Sequence, residues 1–381
     1  MKIAIFSPNL TRNSGGAETY ALKIANVLSE HHQVVFYTCA SRKPDFDMNK
    51  IYQHYGSECF ETRYVSFVFT GGHEYLKELG YIQLRHGMMR EISKEFDLFI
   101  NCTFSRISGP EGVKSIHIIH FPDISNSTVF GRQIGKKKDA KYLRSYDLLL
   151  CNSEFTNENL RRRWGVTGQV LYPLITMDTI PAEELEKKEK IILTVDRFHP
   201  EKKVLEMMEA FIRFKQKDTA GYRMVIVGNA DSKWKDYAEK MNRLAEGQAI
   251  EIRTSVPYEE LLQWYRKATI YWHAMGLGVS EDNPAAMEHF GVTTVEAMAN
   301  GVIPIVIGKG GQREIVASGT NGFLCDTPED MIENTLKLTQ DEDRIRTMRL
   351  AAVERAKDFL MPAFRAKLEG YVSSLFKGDK P

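Results

Sequence analysis

The sequence predicts an α/β protein built from two doubly wound parallel sheets. Its 381 residues exceed what one ordinary hydrophobic core holds. Short apolar runs typical of buried strands alternate with helical segments in both halves of the chain. A polar, highly charged stretch, residues 180–190, separates the two series. We expect an N-terminal domain over 1–174, a C-terminal domain over 175–360 and a final helix over 361–381. Ligands of such sheets bind at the carboxyl ends of the strands, so the cleft between the domains is the expected site.

Composition and charge narrow the class of protein. Lys+Arg 51 against Asp+Glu 50 leaves almost no net charge, whereas nucleic-acid-binding proteins usually carry a basic surplus, so nucleic acid is not an expected partner. The chain begins directly with a strand-like run, without a signal peptide, and no apolar run approaches the roughly 20 residues that span a bilayer. The five scattered cysteines lack metal-ligand spacing. This pattern predicts a reduced, cytoplasmic setting without a zinc site.

The N-terminal half opens with a β-α-β pattern. An apolar run at 2–7 leads into a loop ending in Gly15-Gly16, then a helical segment and the strand 33–38. The glycine pair is not the G-x-G-x-x-G of dinucleotide sites, and both a tight turn and close approach to a phosphate fit it. His120 falls at a strand end, where active residues of such sheets gather, although a structural histidine is the commoner case. Four other apolar runs predict strands: 97–101, 115–119, 148–152 and 171–174.

The C-terminal half repeats the alternation. Helices are predicted at 204–215 and 258–267, and Pro362 should interrupt the helical tail. Five apolar runs predict strands: 191–195, 223–227, 250–253, 270–272 and 302–307.

The segment 284–311 predicts a loop, a helix, a turn, a buried strand and a glycine-rich loop. Glu288 and Glu296 are eight positions apart, which on an ideal helix is a rise of about 12 Å and a rotation of about 80°. One helical face would not bring both carboxylates to one point, so we place Glu288 in the loop and Glu296 one turn inside the helix. The free N–H groups of a helix N-terminus suit phosphate. The segment therefore predicts a site for a phosphorylated ligand, with a chance pair of glutamates on an exposed helix as the alternative.

Cations that could face such a ligand follow the strand 191–195. Arg197 ends the strand, and Lys202 comes five residues later. Arginine can bind the oxygens of a diphosphate bidentately, yet by spacing alone a solvated basic loop is the simpler interpretation. Asp45 and Asp47 form an Asp-x-Asp pair that could hold a divalent metal, but their polar loop favours a plain surface position.

Several basic residues form a further candidate surface. A polybasic face can hold anionic lipid headgroups, although solvated surface is the default interpretation. The residues are Lys136, Lys137, Lys138, Lys141, Arg144, Arg161, Arg162 and Arg163.

The stretch Glu288-His-Phe-Gly-Val-Thr-Thr-Val-Glu296 resembles the retaining glycosyltransferases of family four, which have the GT-B fold. The sequence Glu-His-Phe-Gly, followed by Val-Glu-Ala-Met-Ala, is similar to the corresponding motif of the lipid-linked-oligosaccharide mannosyltransferases of that family. Asp196 departs from the pattern, because the family usually has glycine before the arginine. Other matching motifs follow in the family's order: Gly15-Gly16-Ala17-Glu18, His120-Phe-Pro122, Arg197 with Lys202, Val227-Gly228, Gly310-Gly311 and Asn321-Gly322.

The resemblance implies a role for each matching position. Glu296 would bind the ribose hydroxyls of a nucleotide, and Glu288 the hydroxyls of the donor sugar. Arg197 and Lys202 would neutralise the β-phosphate, and His120 would lie beside the donor sugar. The remaining implied contacts are Gly15 and Gly16 over the phosphates, Thr254 and Val256 along the base, and Phe290, Gly291, Val292 and Thr293 around the sugar and diphosphate. The tail after Pro362 would cross back onto the N-terminal domain.

The implied activity is metal-independent, retaining transfer of a hexose, with mannose as first candidate, to a hydroxyl of a glycan or lipid-linked acceptor. The donor would be a GDP- or UDP-linked sugar, with no cofactor and no metal. Two alternatives stay open: a catalytically silent nucleotide-sugar-binding subunit, and a same-fold enzyme acting on free nucleotide sugars. The expected location is cytoplasmic, with peripheral contact to the anionic inner face of a membrane as a further option.

Overall fold

The computed structural model describes residues 1–8, 16–40, 48–54, 57–66, 87–103, 107–122, 141–229 and 232–377. It divides the chain into two compact units. One unit comprises Met1–Leu174 together with Phe364–Pro381, and the other comprises Ile175–Ala363.

The N-terminal unit contains a parallel sheet of seven strands in the order β3-β2-β1-β4-β5-β6-β7. The central strand β1 pairs with two neighbours, with Ile3 opposite both Val34 and Leu98. The elements are β1 Lys2–Phe6, α1 Gly16–Ser29, β2 Gln33–Ala40, α2 Met48–His54, β3 Glu61–Ser66, β4 Leu98–Asn101, β5 Lys114–Ile119, β6 Leu148–Cys151, α3 Glu154–Trp164 and β7 Gln169–Val170.

The C-terminal unit contains a parallel sheet of six strands in the order β10-β9-β8-β11-β12-β13. Its strands are β8 Ile191–Val195, β9 Arg223–Gly228, β10 Ile250–Thr254, β11 Ile270–His273, β12 Ile303–Ile307 and β13 Phe323–Cys325. Its helices are α4 Val204–Lys215, α5 Lys235–Ala245, α6 Tyr258–Lys267, α7 Val292–Ala299, α8 Gln312–Ile315, α9 Pro328–Thr339 and α10 Glu342–Ala356.

The strands are apolar on both faces because helices cover both faces of a parallel sheet. All five residues of β8 and all five of β12 are buried. Helix boundaries follow local capping chemistry: Ser153 accepts the Thr156 N–H at the start of α3, and Gly165 ends that helix with φ 64°. The α/β prediction of two doubly wound parallel sheets is confirmed.

One predicted strand is wrong, and two strands were not predicted. The last strand of the first sheet is β7, Gln169–Val170, and not 171–174. Pro173 has no N–H for a ladder hydrogen bond, and Leu171 and Leu174 are apolar because they are buried in the core. The edge strands β3 and β13 were not predicted. The sequence of β3, ETRYVS, is polar, and β13, FLC, has only three residues.

The tail is helical on both sides of a break. Leu360 is extended, and α11 Met361–Phe376 begins immediately before Pro362. Proline is tolerated in the first helical turn because the N–H groups there have no intrahelical partner. Phe364, Leu368 and Val372 of α11 are buried in the core of the N-terminal unit. The Tyr371 hydroxyl also donates to the Val170 carbonyl, at 3.0 Å.

Candidate functional site

The candidate site of the C-terminal unit lies at the carboxyl edge of its sheet. Asp196 directly follows β8, and His273 is the last residue of β11, the strand paired with β8. Lys202 ends a short 3-10 turn, and Glu288 lies in the loop before α7. The predicted placement of Glu288 before the helix and Glu296 inside it is confirmed.

These four side chains form a closed ring in which each carboxylate contacts both cations. Lys202 Nζ lies 2.7 Å from Glu288 Oε2 and 3.3 Å from Asp196 Oδ1. His273 Nδ1 hydrogen-bonds Asp196 Oδ2 at 2.8 Å. His273 Nε2 lies 3.1 Å from Glu288 Oε2, although the contact lacks the direction of a hydrogen bond. Both cations use Oε2 of Glu288, and among the described residues no hydrogen bond is made to Oε1.

Burial makes the charges of this ring strongly interdependent. The side chains of His273 and Asp196 are 1% and 3% exposed. Burial alone would lower the pKa of His273, but the Asp196 carboxylate and then Glu288 raise it to about 9. Burial would likewise raise the pKa of Glu288, yet Lys202 and His273 hold it well below its usual value. Burial opposes the charge on Lys202, and the two carboxylates raise its pKa nonetheless. Near neutral pH, Lys202 and His273 are therefore positively charged and Glu288 is negatively charged.

Gly310 and Gly311 pack directly on the loop that carries Glu288. The Gly311 N–H donates to the Glu288 carbonyl at 2.8 Å. A Cβ on Gly310 would lie 2.1 Å from that carbonyl oxygen, and one on Gly311 would lie 2.5 Å from Phe290 Cα. The glycines are needed for this close approach, which fixes the backbone before α7.

The N-terminus of α7 is open. Gly291 precedes the helix with φ 122° and supplies no side-chain cap, so first-turn N–H groups are available to an anion. The helix ends at Ala299, Asn300 is its C-cap, and Gly301 follows with φ 67°, a conformation common just after a helix.

Two buried tyrosines hold the polar side chains of α7. The Tyr271 hydroxyl lies 2.7 Å from Thr293 Oγ1, and the Tyr265 hydroxyl donates to Glu296 Oε2 at 3.0 Å. Burial raises the pKa of both tyrosines, so the phenols stay protonated and can donate. Glu296, Val292 and Thr293 are half-buried, and Phe290 is buried against Phe359.

The remaining predicted residues of this unit are more exposed. The Arg197 side chain makes no ion pair or hydrogen bond with any described residue, although Arg197 immediately follows Asp196. Thr254 is exposed and Val256 half-buried. Between them Ser255 has φ 56°, an unusual conformation for a residue other than glycine, which sharply bends the chain after β10.

The N-terminal unit places two predicted residues at the carboxyl edge of its own sheet. Half-buried His120 follows β5, its Nε2 is 3.4 Å from the Cys102 carbonyl oxygen, and its ring meets Tyr20 edge to face. Gly16 begins α1, and a Cβ there would meet no atom within 4 Å. His117, inside β5, is structural: it is buried, stacks on Tyr146, and burial lowers its pKa to about 4.

Other predictions concern metal, membrane and basic surface. Within the described ranges, no group of three or more His, Cys, Asp or Glu side chains has the arrangement of a metal site. No helix in the same ranges has the length and apolar character needed to cross a membrane. Arg161 and Arg162 both pair with Glu158, which partly neutralises the basic face. Several predicted residues lie outside the described residues: Gly15, Asp45, Asp47, Lys136, Lys137 and Lys138.

Sequence reasoning missed His273, Tyr265 and Tyr271. His273 is the last residue of β11, at the carboxyl edge where ligands of such sheets bind, and that position is the signal that could have indicated it. Tyr265 lies inside α6 and Tyr271 inside β11, where no such signal marks them. Sequence reasoning also treated Asp196 only as a departure from the glycine of the family, whereas its carboxylate pairs with both cations of the ring.

Comparisons with known proteins agree with this fold. A sequence profile described as glycosyltransferase family 4 matches residues 14–178. One described as glycosyl transferases group 1 matches 177–358. The Anabaena protein Alr3699/HepE, solved with UDP and glucose, superposes with a TM-score of 0.73 at 17% identity over 98% of this chain and 100% of that chain. A Rickettsia africae glycosyltransferase gives 0.73 at 15% identity over 99% of each chain. These structures support the GT-B fold.

Curated relatives are similar at low identity. The human GDP-Man:Man(3)GlcNAc(2)-PP-Dol alpha-1,2-mannosyltransferase is 26% identical over 254 residues, covering 61% of this chain and 49% of its own length. An alpha-1,3/1,6-mannosyltransferase of Rhizomucor pusillus is 24% identical over 392 residues, covering 87% of this chain and 82% of its own length. The chain thus spans about half the length of the human relative. The two profiles together account for residues 14–358, and with this fold the chain belongs to the family-four glycosyltransferases of GT-B architecture.

Proposed function

We propose that the chain is a retaining, metal-independent hexosyltransferase. It takes a hexose, with mannose as first candidate, from a GDP- or UDP-linked donor to a hydroxyl of a glycan or lipid-linked acceptor. The main support for the proposal is the contact between Lys202 Nζ and Glu288 Oε2, 2.7 Å apart, beside the open N-terminus of α7. Similarity to mannosyltransferases, two of them named above, supports the choice of sugar.

The chemistry follows from where charge develops. As the bond between the sugar C1 and the β-phosphate oxygen breaks, negative charge grows on the diphosphate. The Lys202 ammonium, the Arg197 guanidinium and the first amides of α7 would stabilise it. The acceptor oxygen bonds C1 from the same face, and its proton passes to the departing diphosphate. No protein base is then needed, and Glu288 would accept a hydrogen bond from a sugar hydroxyl through Oε1.

Glu296 is suited to the nucleoside end of the donor. Its carboxylate already accepts a hydrogen bond from Tyr265, which orients the side chain from within α7. A carboxylate held in this way can accept hydrogen bonds from two vicinal ribose hydroxyls. Thr254 and Val256, after β10, would line the base.

Donor preference can be measured by thermal shift with GDP- and UDP-sugars. A bound donor stabilises the folded state in proportion to the logarithm of its concentration over Kd, so the correct donor should give the largest rise in Tm. Absence of a shift with every donor would contradict the proposal. A shift without turnover in donor-hydrolysis and transfer assays would instead favour a silent binding subunit.

Two measurements test the mechanism. NMR of the product should show the anomeric configuration of the donor, and inversion would exclude retention. Transfer activity should be unchanged after EDTA treatment. If EDTA abolished activity and Mg²⁺ or Mn²⁺ restored it, a metal site at Asp45 and Asp47 would be favoured instead.

Arg197→Ala tests the second cation. Because the Arg197 side chain is exposed, we expect little change in stability but a fall in turnover of about 10²-fold, typical of losing one charge-stabilising donor. Arg243→Ala, an exposed site on α5, is the matched control. Unchanged turnover of Arg197→Ala at saturating donor would exclude the proposed role.

Peripheral contact with anionic membrane is a separate part of the proposal. Lys141 and Arg144 are exposed on the N-terminal unit. Sedimentation with phosphatidylserine vesicles should be lost with neutral vesicles and reduced in the Lys141→Ala/Arg144→Ala double variant. Equal sedimentation with both vesicle types would contradict an electrostatic contact.

A further inference from the structure

The pair formed by Asp196 and His273 has no part in the proposed reaction, yet it is the most deeply buried part of the charged ring. Asp196 directly follows β8, and its side chain is 3% exposed. It uses separate oxygens for its two partners, Oδ1 for Lys202 and Oδ2 for His273. His273 in turn is fixed between two carboxylates, and its ring lies parallel to that of Tyr271, with centroids 6.3 Å apart.

The ring raises a problem for donor binding. A diphosphate would compete with Glu288 and Asp196 for the Lys202 ammonium, which already contacts both carboxylates. If the ammonium turns to the phosphates, the Glu288 carboxylate, whose side chain is 18% exposed, would be left without Lys202, and a largely buried charge without a partner is strongly unfavourable. The one other cation in contact with Glu288 among the described residues is His273.

We propose that His273, oriented by Asp196, is a positioning residue that keeps Glu288 ionised and in place when Lys202 binds the donor diphosphate. This inference rests on the proposed function. It also accounts for the buried carboxylate at position 196, because Asp196 both orients the imidazole and balances its charge. Lys202 can then turn from Glu288 to the donor diphosphate, because His273 remains in contact with both Glu288 and Asp196.

The inference predicts a specific pH dependence. The charged groups facing His273 are Asp196 after β8, Lys202 in the 3-10 turn and Glu288 before α7, with the Tyr271 ring beside it on β11. Their combined effect keeps the imidazole protonated to about pH 9. Above that pH, His273 no longer compensates Glu288, so donor affinity should fall.

The test uses the intact protein with GDP and UDP as probes, the tighter of the two being carried forward. His273→Gln removes the charge, Asp196→Asn removes its orienting partner, and His31→Gln at an exposed position of the other unit is the control. We expect His273→Gln to weaken nucleoside-diphosphate binding, measured by calorimetry at pH 7.5, by about tenfold or more. The wild type and the control should also lose affinity between pH 8 and 10, a step that His273→Gln should lack. Equal affinity and the same pH profile in His273→Gln and wild type would overturn the inference.

A spectroscopic measurement keeps the inference testable if the variants do not fold. In protein labelled with isotopic histidine, one NMR resonance with a buried environment should titrate near pH 9. Asp196→Asn, where folded, should lower that midpoint. A wild-type spectrum in which no histidine titrates above pH 8 would overturn the inference. If neither GDP nor UDP binds wild type while this resonance titrates near 9, the proposed function fails and the ionisation of the pair stands.

Discussion

At the residue scale, Glu288 is a carboxylate that stays ionised although most of its side chain is removed from water. Removal from water favours its neutral form, while Lys202 at 2.7 Å and His273 at 3.1 Å favour the charged form. The effect of the two partners is the larger one, and the pKa of Glu288 is therefore held well below its usual value of 4.5. A residue that would bind sugar hydroxyls is therefore also part of the electrostatic stability of the fold.

Glu288→Gln should lower the free energy of unfolding in a pH-dependent way. The folded-state pKa of Glu288 is depressed, so its stabilising contribution is present above the unfolded value of about 4.5 and disappears as pH falls below it. Near pH 7 we expect a loss of about 2–3 kcal/mol relative to wild type. Urea unfolding of both proteins at pH 7, 5 and 3.5 measures the difference. A gap that is the same at all three values would contradict an ionised Glu288.

At the element scale, close backbone packing fixes the loop that precedes α7. Gly311 has φ −66° and ψ −14°, a conformation that any residue adopts. Space, and not backbone strain, is what requires glycine there, because a Cβ would press on the backbone of His289 and Phe290. The loop carrying Glu288 is thus positioned by the glycine loop after β12.

Gly311→Ala should therefore displace that loop. We expect destabilisation of about 1–3 kcal/mol, as for other overpacked sites, together with weaker binding of GDP or UDP. Chemical denaturation and calorimetry measure the two effects. Unchanged nucleotide affinity in a folded Gly311→Ala protein would show that the loop can move without consequence for the site.

Gly370→Ala is a matched glycine replacement with the opposite expected sign. Gly370 is exposed inside α11, and a Cβ there would meet no atom within 4 Å. Alanine is favoured over glycine in a helix interior, so stability should rise by about 0.5–1 kcal/mol. A decrease in Tm would mean that α11 is constrained in a way its packing does not show.

At the scale of the whole molecule, the end of the chain completes the core of its beginning. Phe364, Leu368 and Val372 of α11 are buried with residues of β1, α1 and β5. The Phe364 ring meets Tyr20 of α1 edge to face at 5.9 Å, and Arg365 pairs with Glu30 just after that helix. The N-terminal unit is therefore discontinuous in sequence.

Phe364→Ala should destabilise the N-terminal unit by about 3–5 kcal/mol, because it leaves a cavity in a packed core. Hydrogen–deuterium exchange should show faster exchange in α1 and α11, with β8 and β11 unchanged. Met361→Ala, at an exposed position of the same helix, is the control and should stay within about 0.5 kcal/mol of wild type. Faster exchange in the C-terminal unit as well would mean that the two units unfold together.

Local patterns were sufficient to predict much of the fold. Helices at Val204–Lys215 and Tyr258–Lys267 follow from apolar spacing, and their predicted limits are confirmed. The placement of Glu288 outside a helix and Glu296 inside it followed from helix geometry. Polar β3 and three-residue β13 could not be predicted from apolar runs, because edge strands are less completely buried and therefore need not be continuously apolar.

The sequence by itself determined the two parallel sheets, since strands buried on both faces must be apolar throughout, and it determined which segment presents a helix N-terminus. Only the tertiary structure decided which charges meet. Asp196 and His273 are 77 positions apart, and Lys202 and Glu288 are 86 apart. They meet because β11 lies beside β8 in the sheet, although β9 and β10 come between them in the chain. That crossover, and not any local pattern, brings both carboxylates and both cations to one edge.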